Sequence, residues 1–133
     1  MYHVVVGVDA DIEQLDEKVD AIAALPASID SVRVTVVHVS DEVEPDDVPS
    51  VSAALERFKT EGIDTDTRAV TGDTPAHALV EVAESMAVDL ICVGGRQRTP
   101  AGKRQLKSGA QEVILRTDIP VLVTGETGNR ARR

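Results

Sequence analysis

The chain has 133 residues, enough for one domain with a sizeable core, and its 42% hydrophobic content sets it apart from disordered chains. It carries 23 acidic residues against 14 Lys and Arg, a net charge of −9, which excludes the broad basic face that non-specific nucleic-acid binding needs. No apolar run reaches the length of a membrane span, and a lone cysteine, Cys92, excludes an internal disulfide.

Asp9 and Asp11 follow the first apolar run at once, so the N-terminus lacks the layout of a signal peptide. With the single cysteine this makes the cytoplasm the expected location. Lys18, Lys59, Lys103 and Lys107 are the only lysines and aromatic content is 2%. An acidic, lysine-poor surface fits a halophile's high-salt cytoplasm, where self-repulsion is screened.

In chain order, Val4-Val5-Val6-Gly7-Val8 is a β-branched run that ends at Asp9, as a strand buried on both faces would. Ile12, Leu15, Val19, Ile22 and Ala23 then recur at helical spacing, with Asp11 available as N-cap and Pro26 closing the segment. Val32 to Val39 reads as the second strand, and the acidic, proline-bearing stretch Asp41 to Pro49 as a solvated loop. Ala54, Leu55 and Phe58 mark a second helix stopped by Gly62, and Asp64 to Val70 a short strand suited to a sheet edge. Thr74 and Pro75 give a helix start, followed by the apolar stripe Ala76, Leu79, Val80, Ala83 and Ala87.

The stretch from Asp89 to Val123 is the most informative. A short apolar run, Leu90 to Val93, stops at Gly94-Gly95. A basic loop follows, then a helix bearing Leu106, Ala110, Val113 and Ile114, then a fifth strand, Ile119 to Val123. Between Gly94 and Lys107 lie Arg96, Arg98, Lys103 and Arg104 and no acidic residue, a reversal of sign that a bound phosphate would explain. After residue 125 the sequence has no apolar residue except Ala131, so residues 1–125 read as one domain and 126–133 as a disordered basic tail.

Alternating strands and helices imply right-handed crossovers and a parallel sheet covered on both faces. The expected fold is a single-domain three-layer α/β sandwich of five parallel strands in order 3-2-1-4-5. Its topology would be flavodoxin-like or adenine-nucleotide-alpha-hydrolase-like, with a crevice between strands one and four that brings Asp9 beside Gly94.

Taken together, VVVGVD, VVHV, GDTPAHALVEVAES, DLICVGGR and SGAQEVILRTDIPVLV resemble the universal stress protein family over nearly the whole chain. The resemblance implies a dimeric binding or regulatory protein, and in one branch of the family an ATP site, occupied with Mg²⁺. The nucleotide-binding positions it implies include Asp9 beside ribose and adenine, the Val39 backbone at the adenine edge, Gly94 as the first glycine of the phosphate loop and Ser108 as its terminal hydroxyl. Gln97 and Lys107 stand where that loop has its second and third glycines, a degraded form of the motif. Gly95, Arg96 and Gly109 complete the candidate set, the two glycines by lending the loop freedom and the arginine by its charge. Gln97 either blocks a phosphate or donates to it, and Lys107 either occludes the site or supplies a point charge. The alternative is a nucleotide-free dimeric scaffold that binds a protein partner through a drifted loop. The family's dimer forms through the last strand, here Ile119, Val121 and Val123, which would also protect an apolar edge.

Each candidate has a plainer reading. Asp9 hydrogen-bonds a ribose or caps the turn after its strand, and Ser108 bonds a phosphate or caps its helix. His38 is expected as a hydrogen-bonded core histidine, His77 on the surface and Cys92 as packed core. The three histidines are scattered and give no metal-ligand spacing. No nucleophile elbow or paired carboxylate set occurs, and Gly102-Lys103 is followed by Arg104 rather than Ser or Thr, so no enzymatic activity is expected.

Overall fold

The computed structural model describes residues 2–8, 15–25, 32–39, 49–70, 74–98, 104–106 and 108–125. Its strands are β1 (Tyr2–Val8), β2 (Val32–Val39), β3 (Asp64–Val70), β4 (Leu90–Arg98), β5 (Arg104–Leu106) and β6 (Val121–Gly125). The helices are α1 (Leu15–Ala23), α2 (Pro49–Thr60), α3 (Pro75–Ser85) and α4 (Ser108–Arg116). Five strands run parallel in the order β3-β2-β1-β4-β6, the arrangement expected of the five anticipated strands. The sixth, β5, is antiparallel to β4 and was not expected.

Alternation of side chains along the central strands divides the core into two layers. Val4 and Val6 of β1 and Val34 and Val36 of β2 meet Val19 and Ile22 of α1 and Val51, Ala54 and Phe58 of α2. Val5, Val37 and Ile91 face the other way, onto Ala76, Leu79, Val80 and Ala83 of α3 and Ala110 and Val113 of α4. Gly7 keeps α3 close, since a Cβ there would stand 2.9 Å from Leu79 Cδ2.

Several boundaries differ from expectation, among them that of the last helix, since Leu106, expected on it, lies in β5 ahead of α4. Pro120 has no N–H to give a ladder, so the last strand begins at Val121, while the Pro120 carbonyl accepts from Ile91 N–H. Ile119 therefore precedes the strand. Ala87 is not part of the α3 stripe: it lies beyond the helix with φ of 52°, donating its N–H to Glu84, while Val88 donates to Ala83. Thr74 occupies the N-cap of α3 in extended geometry, but its hydroxyl makes no capping bond.

The amino end of the sheet is tied by polar side chains. Asp89 accepts from His3 N–H at 2.9 Å and its own N–H donates to His3 O at 2.8 Å, clasping β4 to β1. Thr35, 1% exposed, donates its hydroxyl to Asp66 at 2.7 Å. With that proton committed, the 2.7 Å contact from His3 Nε2 must be a donation to the Thr35 oxygen. Arg33 closes the chain on Asp66 at 2.8 Å. Burial alone would raise the Asp66 carboxyl, but the bonds from Thr35 and Arg33 and the nearby charges of Arg33 and His3 hold it below its ordinary value.

Candidate functional site

β1 is flanked by β2 on one side and β4 on the other. The chain leaves β1 toward β2 and β3, then returns to build β4 and β6 on the opposite side. The strand order thus reverses at the carboxyl ends of β1 and β4, where open sheets of this kind leave a crevice. The β1–β4 register runs from Val4 with Leu90 to Val6 with Cys92, and both strands continue beyond it.

Gly94-Gly95 does not end β4, as the sequence suggested, but bends it. Between the pairs Val93 with Val123 and Arg96 with Gly125, β4 advances by one residue more than β6, which is a β-bulge. Gly95 is buried there with φ of 130°, a conformation essentially closed to residues with a Cβ. The buried Thr124 hydroxyl reaches the Val93 carbonyl at the bulge, at a long 3.4 Å.

Past the bulge β4 pairs with β5, setting Arg96 opposite Leu106, Gln97 opposite Gln105 and Arg98 opposite Arg104. Part of the expected loop is therefore a two-stranded ribbon. Its register concentrates Arg96, Arg98 and Arg104 at the end of the sheet where the crevice lies, in a chain of net charge −9.

Two polar side chains lie under the same end of the sheet, in the layer of α1 and α2. Lys18 is 5% exposed and donates from Nζ to the Gly7 carbonyl at 2.8 Å. Gly7 is the first β1 residue beyond the last β1–β4 pair. Burial pushes the Cys92 thiol up to about 12, and the Lys18 charge acts against that shift, so the ammonium stands near β4 as well. His38 is 9% exposed on β2, opposite Val8, and on the same face as Val34 and Val36. Its Nδ1 is buried without a hydrogen-bond partner, so the expectation of a hydrogen-bonded core histidine is corrected at that nitrogen.

Of the sequence candidates, the backbones of Val39, Gly94, Gly95, Arg96, Gln97, Ser108 and Gly109 are placed at the carboxyl end of β2, along β4 and at the start of α4. Asp9 and Lys107 lie outside the described residues, as does the tail 126–133. Cys92 is packed in the core as expected, and His77 is half-buried with Nε2 3.1 Å from Glu112 of α4. Sequence reasoning missed Lys18, although its spacing with Leu15, Val19 and Ile22 puts a lysine inside the apolar stripe of α1. A shallow groove of about 560 Å³ between α2 and β3, lined by Leu55, Lys59, Ile63 and Thr65, is at the far edge of the sheet and unrelated to the crevice. Among the described residues no cluster of His, Cys, Asp and Glu is placed to hold a metal, and no helix is long and apolar enough to cross a membrane.

The model of the universal stress protein family matches residues 1–125. A universal stress protein from Archaeoglobus fulgidus superposes with a TM-score of 0.76 at 26% identity, over 93% of this chain and 98% of that one. A universal stress protein in complex with cAMP gives 0.71 at 30% identity, over 92% and 94%. A protein of the same family from Burkholderia pseudomallei, at 20% identity, gives 0.66 over 91% and 93% and shares the fold. No curated protein sequence matches the chain.

Proposed function

Because the chain belongs to the universal stress protein family, we propose that it is a small dimeric regulatory protein that binds an adenine nucleotide at the carboxyl ends of β1 and β4. The observation that carries this is the reversal of strand order at β1, with the Gly95 bulge turning β4 into an arginine-bearing ribbon at the crevice. The backbone register pairs Arg98 with Arg104, and arginine is the residue type suited to holding a phosphate. The relative in complex with cAMP, 30% identical, supports an adenine nucleotide as the ligand class.

In this reading Asp9 meets the ribose, the Val39 backbone the adenine edge, and Gly94, Gly95, Ser108 and Gly109 the phosphates of ATP with Mg²⁺. Arg96, Gln97 and Lys107 assist them. The nucleotide acts by stabilising one arrangement of the β4–α4 segment, which changes the surface offered to a protein partner. The protein acts by binding and not by turnover; steady ATP hydrolysis that disappears in Asp9→Ala would overturn that. The second protomer pairs along β6, which among the described strands has only β4 as a neighbour and whose Val121 and Val123 are half-buried. One observation favours a second reading, a nucleotide-free scaffold: Gln97, at a position where the family's loop has glycine, is committed to the ribbon opposite Gln105.

A thermal-shift titration with ATP, ADP, AMP and cAMP, with Mg²⁺ and at low and high potassium chloride, decides between the two. Ligand at a hundred times its dissociation constant adds about 2.7 kcal/mol, a readily measured rise in Tm. A saturating shift supports the nucleotide site, and a flat response at both salts supports the scaffold. Lys107→Gly then refines the result: binding that appears or strengthens shows the lysine to be a block, and binding that weakens shows it to be a phosphate contact.

A further inference from the structure

Buried polar atoms in a folded chain are almost always paired, and leaving one unpaired costs about 1–3 kcal/mol. Among the described residues His38 Nδ1 is the side-chain atom that breaks this rule. A core position on β2 that only needed filling would be served better by leucine, which has similar bulk and no nitrogen to desolvate. The position of the exception is informative. His38 is the penultimate residue of β2, opposite the last residue of β1, at the end of the sheet where the strand order reverses.

Its surroundings are already polar. Lys18 reaches into the same layer from α1 and fixes the Gly7 carbonyl, one residue before the Val8 that pairs with His38. A neutral imidazole whose Nε2 carries the proton offers Nδ1 as an acceptor, and an amino or hydroxyl group of a nucleoside supplies the matching donor.

We propose that His38 is a ligand-contacting residue of the crevice, its Nδ1 accepting a hydrogen bond from the nucleoside half of the bound nucleotide while Lys18 fixes the β1 backbone beside it. This rests on the nucleotide reading above and adds to it a side chain that selects the nucleoside. The donor is either the ribose 2′-hydroxyl or the adenine amino group.

The test is calorimetric titration of the full chain with ATP, 2′-deoxy-ATP and ITP, for the unaltered protein, His38→Leu and His38→Asn. Leucine keeps the bulk and removes the acceptor, whereas asparagine returns a polar atom close to the Nδ1 position. The expected result is ATP binding weakened about tenfold in His38→Leu, with Tm equal or higher, and held within about threefold in His38→Asn. The unaltered protein should discriminate against 2′-deoxy-ATP if the hydroxyl is the donor, or against ITP if the amino group is, and His38→Leu should lose that discrimination. ATP binding at full strength in His38→Leu overturns the inference and leaves the nucleotide reading standing, and so does equal affinity of the unaltered protein for all three nucleotides. No nucleotide binding by the unaltered protein overturns both. Should His38→Leu fail to fold, histidine nitrogen resonances of the unaltered protein decide, and an Nδ1 signal unmoved by saturating ATP overturns the inference.

Discussion

The two ends of the sheet solve the same problem in opposite ways. At the amino end the polar side chains between β1, β2, β3 and β4 are used up on one another: His3 on Thr35, Thr35 and Arg33 on Asp66, and Asp89 on the His3 backbone. At the carboxyl end, among the described residues, His38 Nδ1 has no partner and Gly95 holds a backbone conformation that costs a residue with a Cβ dearly. A fully paired network fixes a structure, and an incompletely paired one leaves room for a ligand to complete it. On the proposed function, the amino end serves stability and the carboxyl end binding.

The largest expected effect comes from Gly95→Ala. A buried residue at φ of 130° cannot take a Cβ without strain, so the substitution should cost about 2–3 kcal/mol in urea unfolding and disrupt the β4–β5 ribbon. Any nucleotide binding should fall with it. A loss under about 0.5 kcal/mol would mean that β4 has an unstrained alternative at the bulge, and the carboxyl end would then owe nothing to strain.

Thr35→Val probes the other end and should cost about 1–2 kcal/mol, because one methyl replaces a hydroxyl that serves two partners and leaves Asp66 and His3 short of one each. Nucleotide affinity should not change. The network also has a pH signature. Asp66 has its folded pKa below its ordinary value, so its contribution to stability is complete above the ordinary carboxylate range and is lost as pH falls through the folded pKa. Thr35→Val should therefore narrow the stability gap between neutral and acid pH in urea titrations. An unchanged gap would show that Asp66 is held by Arg33 and the nearby charge of His3 without help from Thr35.

How much of this was legible in the sequence differs between the two ends as well. The five parallel strands and their order follow from β-branched runs alternating with helical stripes, and the reversal beside β1 follows from that order. Gly94-Gly95 looked like a stop because paired glycines usually end a strand; a bulge uses the same freedom to bend the strand and let it continue to Arg98. The antiparallel strand β5 was hidden because Arg104-Gln105-Leu106 has no apolar alternation of its own and borrows its register from β4. Pairing states are harder still. Nothing local to His38 says whether a neighbouring strand or helix brings Nδ1 a partner, whereas Lys18 could have been read from its place in the α1 stripe.

The smallest expected effect is a gain, and it tests whether even the amino end is fully optimised. α2 and α3 end in the same way, with paired backbone bonds running back across the last turn: Gly62 to Lys59 and Ile63 to Phe58 in one, Ala87 to Glu84 and Val88 to Ala83 in the other. The left-handed position is glycine in α2, at φ of 76°, and alanine in α3, at φ of 52°. A Cβ in that region costs about 1 kcal/mol, and because Ala87 is exposed its methyl returns little by packing. Against this, glycine loses more chain entropy on folding. Ala87→Gly should therefore stabilise by about 0.5 kcal/mol, seen as a higher urea midpoint at unchanged slope. It should leave ligand binding alone, since the turn enters β4 at the amino end, remote from the crevice. A gain accompanied by altered nucleotide affinity would show that β4 transmits the state of one end to the other, and the division of labour between the two ends would have to be given up.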